Sequence, residues 1–497
     1  MNPFDQIKRH LKNCKIDDGL VFLNYLLHVS NDPKINPKMY EFVKQHPGSI
    51  TDYKIEFLSK WLIICSEYTS HAIFSPKELN WPVYLRLSEL YNQINDPFVT
   101  DQKLKKEKPI NFFIRMFYQQ LTGQQRIKLQ SFGSASLLYE KAGSGSNYDI
   151  PNEFQRITGL STREFMQLGM VLSSAKAGPY KTAGTLNQSF IDKGINVGID
   201  VLNKDKVQRF LNAASCDYDK FRITADQALF KVSDNKYILY EFNPLTKYPF
   251  IKVHPERWVS PNPDLVVDRV TSGIYYDLLD ESGKSFTDNF GPIFEKYVGD
   301  LLGSVYPKEK ILKEQQYGGK RNRKKGPADW TIFDNSCAIL IECKSFAPNL
   351  RMKSIASETD IEEYTQRIAD AVEQVYNHVN QIKSGNTDLK QFRSNEYRII
   401  VLTFRRLQAV NTIFFKSIIL DCLEKKGISN PEFAVFSLQE FENYLSLVER
   451  GISFSKLIER VETMGRGVAL EPYMDMLKQN AVPRIVAERG KEILDMV

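Results

Sequence analysis

The chain has 497 residues, of which 42% are hydrophobic and 25% charged, so disorder, collagen-like sequence and a disulfide-rich miniprotein are excluded. Sixty-six Lys and Arg against 60 Asp and Glu leave a net charge of +6, a mild excess that permits a polyanionic partner without demanding one. At roughly 100–200 residues per domain, two to four domains are expected. Six cysteines (14, 65, 216, 337, 343, 422) show no CxxC spacing and read as reduced thiols of a cytoplasmic protein. The opening MNPFDQIKRHLKNCK lacks the apolar stretch of a secretory signal, and no apolar run approaches the ~20 residues of a membrane span.

Residues 1–242 read as a mainly helical recognition or partner-binding region. DDGLVFLNYLLHV, DYKIEFLSKWLIICSEY and PINFFIRMFYQQLTG repeat apolar residues at helical spacing, as does LSTREFMQLGMVLSSA behind an N-cap at Ser161. KYILYEF (236–242) is predicted as a short strand. An ordered Pro-rich connection follows over 243–280.

The rhythm then changes, and 281–450 reads as one α/β unit with a mixed sheet. A helix at about 285–303 precedes strands at 311–318, 328–333 and 338–345. A long helix over 359–383, a buried strand at 397–404, a helix at 409–426 and a strand at 432–437 complete it. Ser437 and Glu440 form a capping box for the next helix. Residues 451–497 are predicted as a C-terminal helical segment.

The chemistry concentrates in Pro327-Ala328-Asp329 and Glu342-Cys343-Lys344. If the turn sets Phe333 opposite Ala338, the antiparallel register brings Asp329 opposite Glu342. Lys344 projects from the same face as Glu342. Two carboxylates that close repel each other unless a cation intervenes, and Mg²⁺, or Mn²⁺ in its place, suits oxygen ligands. The Cys343 backbone carbonyl supplies a third oxygen, and Lys344 can orient and help deprotonate a water. The plainer reading is an exposed cross-strand ion cluster. The apolar company of AILIEC and the matching register weigh against it.

These residues resemble the PD-(D/E)xK nuclease superfamily, with an Ala between Pro and Asp and twelve residues between Asp329 and Glu342. The resemblance covers about 285–405 and implies a restriction-endonuclease-like αβββαβ core acting as a Mg-dependent endonuclease. It further implies a metal-assisting role for Glu295, which shares a helix face with Val298 and Leu302. It implies a supporting role for Gln374 as well, with Tyr376 and His378 as weaker neighbours. Metal ligands would be Asp329, Glu342, the Cys343 carbonyl and Glu295; catalytic residues would be Glu295, Asp329, Glu342, Lys344 and Gln374.

Lys320, Arg321, Arg323, Lys324 and Lys325 are placed to hold nucleic-acid phosphates beside the site, and Arg405-Arg406 could line the same groove. The second basic run, Lys103 to Lys108, reads as a surface loop. Ala177 to Thr182 fails as a P-loop on spacing, so no nucleotide cofactor is expected, and the histidines show no zinc-ligand spacing. The expected partner is nucleic acid, DNA before RNA, with no membrane; a homodimer or partner subunit fits the need to cut two strands. A recognition region fused to such a nuclease resembles bacterial restriction and phage-defence effectors. A non-catalytic nucleic-acid-binding or assembly protein on the same scaffold and an RNA-cleaving effector are the alternatives.

Overall fold

The computed structural model describes residues 2–68, 77–96, 109–121, 128–145, 147–173, 183–227, 237–314, 326–407, 410–429, 431–464 and 482–495. Within them the chain is a mixed α/β protein with two mixed sheets. The basic run 320–325, the lysine-rich 103–108 and the segment 177–182 lie outside the described residues.

The predicted helices of the first half form where their apolar spacing put them, at Ile16–Asn31, Asp52–Cys65, Pro109–Leu121 and Thr162–Ser173. Ser161 caps the last, its Oγ accepting from the Glu164 N–H at 3.2 Å while Glu164 accepts from the Ser161 N–H at 2.9 Å. The predicted strand at 236–242 is not one. Ile238–Tyr240 make a 3-10 turn instead, and the Leu239 carbonyl accepts from Gln119 Nε2 at 3.2 Å, so tertiary contact overrides β-prone composition.

A four-stranded sheet follows, built from β1 (Thr185–Asn187), β2 (Ser215–Cys216), β3 (Phe250–His254) and β4 (Arg257–Val259) in the order β1-β4-β3-β2. The Pro-rich stretch after residue 243 therefore contributes two of its strands.

The second sheet carries the residues of interest. Helix α1 (Gly273–Val305) leads into β5 (Ile311–Lys313), β6 (Trp330–Asp334) and β7 (Cys337–Lys344). Helices α2 (Leu350–Ser354) and α3 (Glu358–Lys383), strand β8 (Glu396–Thr403), helix α4 (Ile413–Lys425), strand β9 (Phe433–Ser437) and helix α5 (Leu438–Glu449) follow. Strand order is β5-β6-β7-β8-β9, with β5–β6–β7 antiparallel and β7–β8–β9 parallel. Helix α1 breaks at Gly283, whose φ of 47° and ψ of −118° a side chain would oppose. The piece after that break is the helix predicted at about 285–303. Both α3 and α5 open on capping boxes, Ser357 with Asp360 and the predicted Ser437 with Glu440.

The register of β6 and β7 is the predicted one, with Phe333 opposite Ala338 and Trp330 opposite Ile341. Asn335 takes a left-handed φ of 56° in the two-residue turn that sets it. Alternation along β7 then sorts its side chains. Ile339, Ile341 and Cys343 join the core on the α1 side with Ile400 and Leu402. Leu340 joins the core on the α3 side with Ile399 and Val401. The even positions, Glu342 and Lys344 among them, thus turn toward α3.

The core shared by α1 and the sheet extends without interruption to Phe132, Phe154 and Phe165 of the first half and to Val486 and Ile493 near the C-terminus. The first half also clamps the connection after β7. Within it, Asn111 Nδ2 donates to the Ala356 carbonyl and fully buried Arg115 donates through Nη1 to Ile355, each at 2.7 Å. Arg115 pairs with Asp96 at 2.9 Å, and Ala356 holds a left-handed φ of 50° there.

Helix α1 is pinned to β6 by Trp330, whose indole N–H donates to the Glu295 carbonyl at 3.0 Å. The ring lies so close that a Cβ on Gly299 would meet it at 2.2 Å. Gly299→Ala is therefore expected to push helix and strand apart, lowering stability by about 1–3 kcal/mol as overpacking does. A thermal melt and a shift in tryptophan emission measure it; an unchanged melt and spectrum would show the contact to be yielding.

Candidate active site

Asp329 lies one residue beyond the β6–β7 ladder, which ends at Trp330. The pairing is completed by its side chain: Asp329 Oδ2 accepts from the Cys343 N–H at 2.7 Å, while its carbonyl accepts from the Glu314 N–H at 2.8 Å. The aspartate is thus fixed on both sides by main-chain bonds at the mouth of the sheet.

Glu342, 3% exposed, is among the most deeply buried acids of the sheet. Its Oε1 accepts from Lys344 Nζ at 2.8 Å, and its Oε2 is buried with no hydrogen-bond partner. Leaving such an oxygen unbonded costs about 1–3 kcal/mol, a cost that Asp17 Oδ1 and Glu140 Oε1 also carry, but of the three only the Glu342 carboxylate lines this cleft. An oxygen left bare at the wall of a cleft is an observation that points toward a ligand.

Glu295 reaches the same place from α1, half-buried, with Val298 and Leu302 of its face fully inside the core. Gln374 and His378 come from α3, one helical turn apart, with His378 Nδ1 donating to the Gln374 carbonyl at 2.8 Å. These side chains, with Asp329, Glu342, Cys343 and Lys344, line one cleft of about 460 Å³. Every residue expected to be catalytic therefore borders a single space. His378 belongs there too, and its spacing of four from Gln374 was the signal for it. Tyr376 instead packs against the apolar core behind α3.

The electrostatics follow from the crowding. Burial chiefly, then the charges of Glu342 and Glu295, push the Asp329 carboxyl well above the usual aspartate range; the Cys343 N–H and Lys344 restore only part. Burial pulls the Lys344 ammonium down, but the charge and hydrogen bond of Glu342 with that of Asp329 outweigh it and hold the pKa above the ordinary lysine value. Burial and the three surrounding acids raise the Cys343 thiol far above its usual range, which removes it as a nucleophile.

The expected ligand set is only partly assembled. Among the described residues, no group of three or more His, Cys, Asp or Glu side chains is arranged to hold a metal ion. Glu295 borders the cleft without closing into a three-acid group with Asp329 and Glu342, and Lys344 already covers one Glu342 oxygen. Lys344 serves as the counter-charge to Glu342. All six cysteines are free thiols, and no helix among the described residues is long and apolar enough to cross a membrane. No family model, curated protein or solved structure matches the chain.

Proposed function

We propose that this chain is a metal-dependent nuclease that hydrolyses phosphodiester bonds, DNA being the first substrate to try. The observation that supports it is the bare, buried Oε2 of Glu342 in a cleft shared by Asp329, Lys344, Glu295 and Gln374. Asp329 and Glu342 would hold Mg²⁺ or Mn²⁺. The Cys343 carbonyl would join them, because in an extended strand it points to the same edge as the N–H that Asp329 accepts. When bound, such an ion polarises a phosphoryl oxygen and makes a nearby water more acidic.

The residues divide the remaining work. Asp329 holds its proton to higher pH than an ordinary aspartate and must release it before it can act as a ligand. Lys344, kept charged by Glu342, would hold a phosphate oxygen and the attacking water in place; taking a proton itself, as expected from sequence, suits a raised pKa poorly. Glu295 would orient water from the α1 side, and Gln374 would donate to a phosphate oxygen from α3. Residues 1–242 would recognise the target, a trigger or a partner subunit, in keeping with an antiphage effector.

A non-catalytic nucleic-acid-binding protein is favoured by one observation: Glu342 is already neutralised by Lys344, and three acids do not gather. Incubation with plasmid, single-stranded DNA and RNA in Mg²⁺ or Mn²⁺ separates the two. Metal-dependent cutting abolished by a chelator is expected, with Asp329→Asn and Lys344→Ala each slower by on the order of a hundredfold or more. Equal cutting by variants and native chain, or none with either ion on any substrate, removes the nuclease reading. Cutting of RNA alone moves the substrate to RNA.

A second expectation concerns stability without metal. In the unfolded chain Asp329 ionises near its ordinary value, whereas in the folded chain it keeps its proton longer. Folding therefore binds that proton more tightly, and stability falls as pH rises from the unfolded value through the folded one. Asp329→Asn should melt higher than the native chain at about pH 8, the gap closing toward about pH 4. A constant gap across that range would show that burial of charge is not what the substitution relieves.

A further inference from the structure

The carboxyl ends of the parallel strands β7 and β8 carry a second cluster, outside the acidic cleft, to which hydrolysis assigns nothing. Tyr276, near the start of α1, is 38% exposed, and Lys353 Nζ on α2 donates to its phenol oxygen at 3.3 Å. Arg405, two residues past β8, donates through Nη1 to Ser272 Oγ at 3.1 Å and through Nη2 to the Ser272 carbonyl at 3.3 Å. Its Nε–H is buried with no hydrogen-bond partner.

The neighbouring cations have acids: Arg351 pairs with Asp360 and Arg406 with Glu440, each at 3.2 Å. Lys353 and Arg405 form no ion pair among the described residues. Lysine can only donate, so the phenol oxygen accepts in the Lys353 contact and its own hydrogen is left to point outward. The potential agrees. Lys353 above all, with burial opposing and Arg405 helping, holds the Tyr276 phenol below its ordinary pKa despite the nearby Asp268. Two cations without an ion-paired acid, with a phenol beside them, are groups that bind a phosphate, the guanidinium through the Nη hydrogens that Ser272 leaves free and the ammonium as a point charge.

The distance to the cleft fits one strand of nucleic acid. Lys344 and Thr403 are direct partners in the parallel ladder, and the Phe404 N–H donates to the Lys344 carbonyl at 3.1 Å. Strands ~4.8 Å apart, with the two residues from Thr403 to Arg405 reaching at most ~3.6 Å each, place the Arg405 backbone within roughly 12 Å of that of Lys344. A nucleic-acid strand advances ~3.4 Å per nucleotide along its axis. We infer that Tyr276, Lys353 and Arg405 bind a backbone phosphate of the nucleic-acid strand two or three nucleotides from the bond held at Lys344. The inference rests on the nuclease reading for the identity of the polyanion.

Fluorescence anisotropy of the full chain in a chelator, with labelled single-stranded DNA, the matching duplex and single-stranded RNA, tests it over a salt series. Lys353→Gln/Arg405→Gln should weaken binding by on the order of tenfold and lower the slope of log affinity against log salt by about 1. Lys353→Gln alone should weaken it in the same direction while leaving the Ser272 bonds of Arg405 and the melting temperature untouched. The charge-matched Lys193→Gln/Lys204→Gln, on exposed helix positions of the first half, should bind as the native chain does. Native affinity and slope in the double variant overturn the site, as does a native chain that binds none of the three probes. Cutting by the native chain beside unchanged binding in the variant sinks the site and spares the nuclease. Lys353-dependent binding in a chain that cuts nothing does the reverse.

Discussion

A single hydrogen bond, from the Cys343 N–H to Asp329 Oδ2, holds the proposed centre together. It replaces the ladder bond that would have continued the β6–β7 pairing past Trp330, so the last pair of the hairpin is made by a side chain. The consequence is geometric. An aspartate in ordinary pairing would stand off the face of the sheet; one that bonds to the neighbouring main chain is held at the strand edge, bordering the cleft. From there the carboxylate sits in the fields of Glu342 and Glu295, which come from a strand and a helix on different sides of the sheet.

The arrangement is costly, and the cost is informative. A buried carboxylate with one bare oxygen, beside another carboxylate that holds its proton, lowers the stability of the resting protein. Hydrophobic residues of similar size at 329 and 342 would pack onto a sheet face that already presents Leu340 and Val401. Packing alone gives no reason to keep acids there; the proposed metal ion would. The raised pKa of Asp329 and the Glu342–Lys344 pair are two ways of reducing the surplus negative charge there.

How much of this was legible in the sequence varied with the range of the interaction. The β6–β7 register could be read because a two-residue turn and strict alternation leave little freedom, and Asn335 tolerates the φ the turn requires. The N-cap at Ser161 and the capping box at Ser437 are local and were readable for the same reason. The segment around Ile238 was misread because its β-prone residues answer to Gln119, 120 residues away in the chain. The clamp of Asn111 and Arg115 on residues 355–356, and the meeting of Tyr276 with Lys353, span still wider or less regular separations. No periodicity encodes such contacts. Nor could composition show that Glu295 would border the cleft without joining the other two acids.

The clamp bears on how the two halves of the chain cooperate. Arg115 is fully buried, and its charge is matched by Asp96 and by the Ile355 carbonyl. Taking away Asp96 would strand a charge in the interior, which costs about 3–5 kcal/mol. The connection it grips leads from Lys344 on β7 to the helix bearing Gln374, so the spacing between these two walls of the cleft depends on a helix of the first half. Ala356 keeps a left-handed φ that an isolated turn would relax. A rearrangement of the Pro109–Leu121 helix could not leave that turn unchanged, and so could not leave the cleft unchanged. The first half and the geometry at the acids are mechanically linked, because the same buried guanidinium ties the Pro109–Leu121 helix to the connection between the two cleft walls.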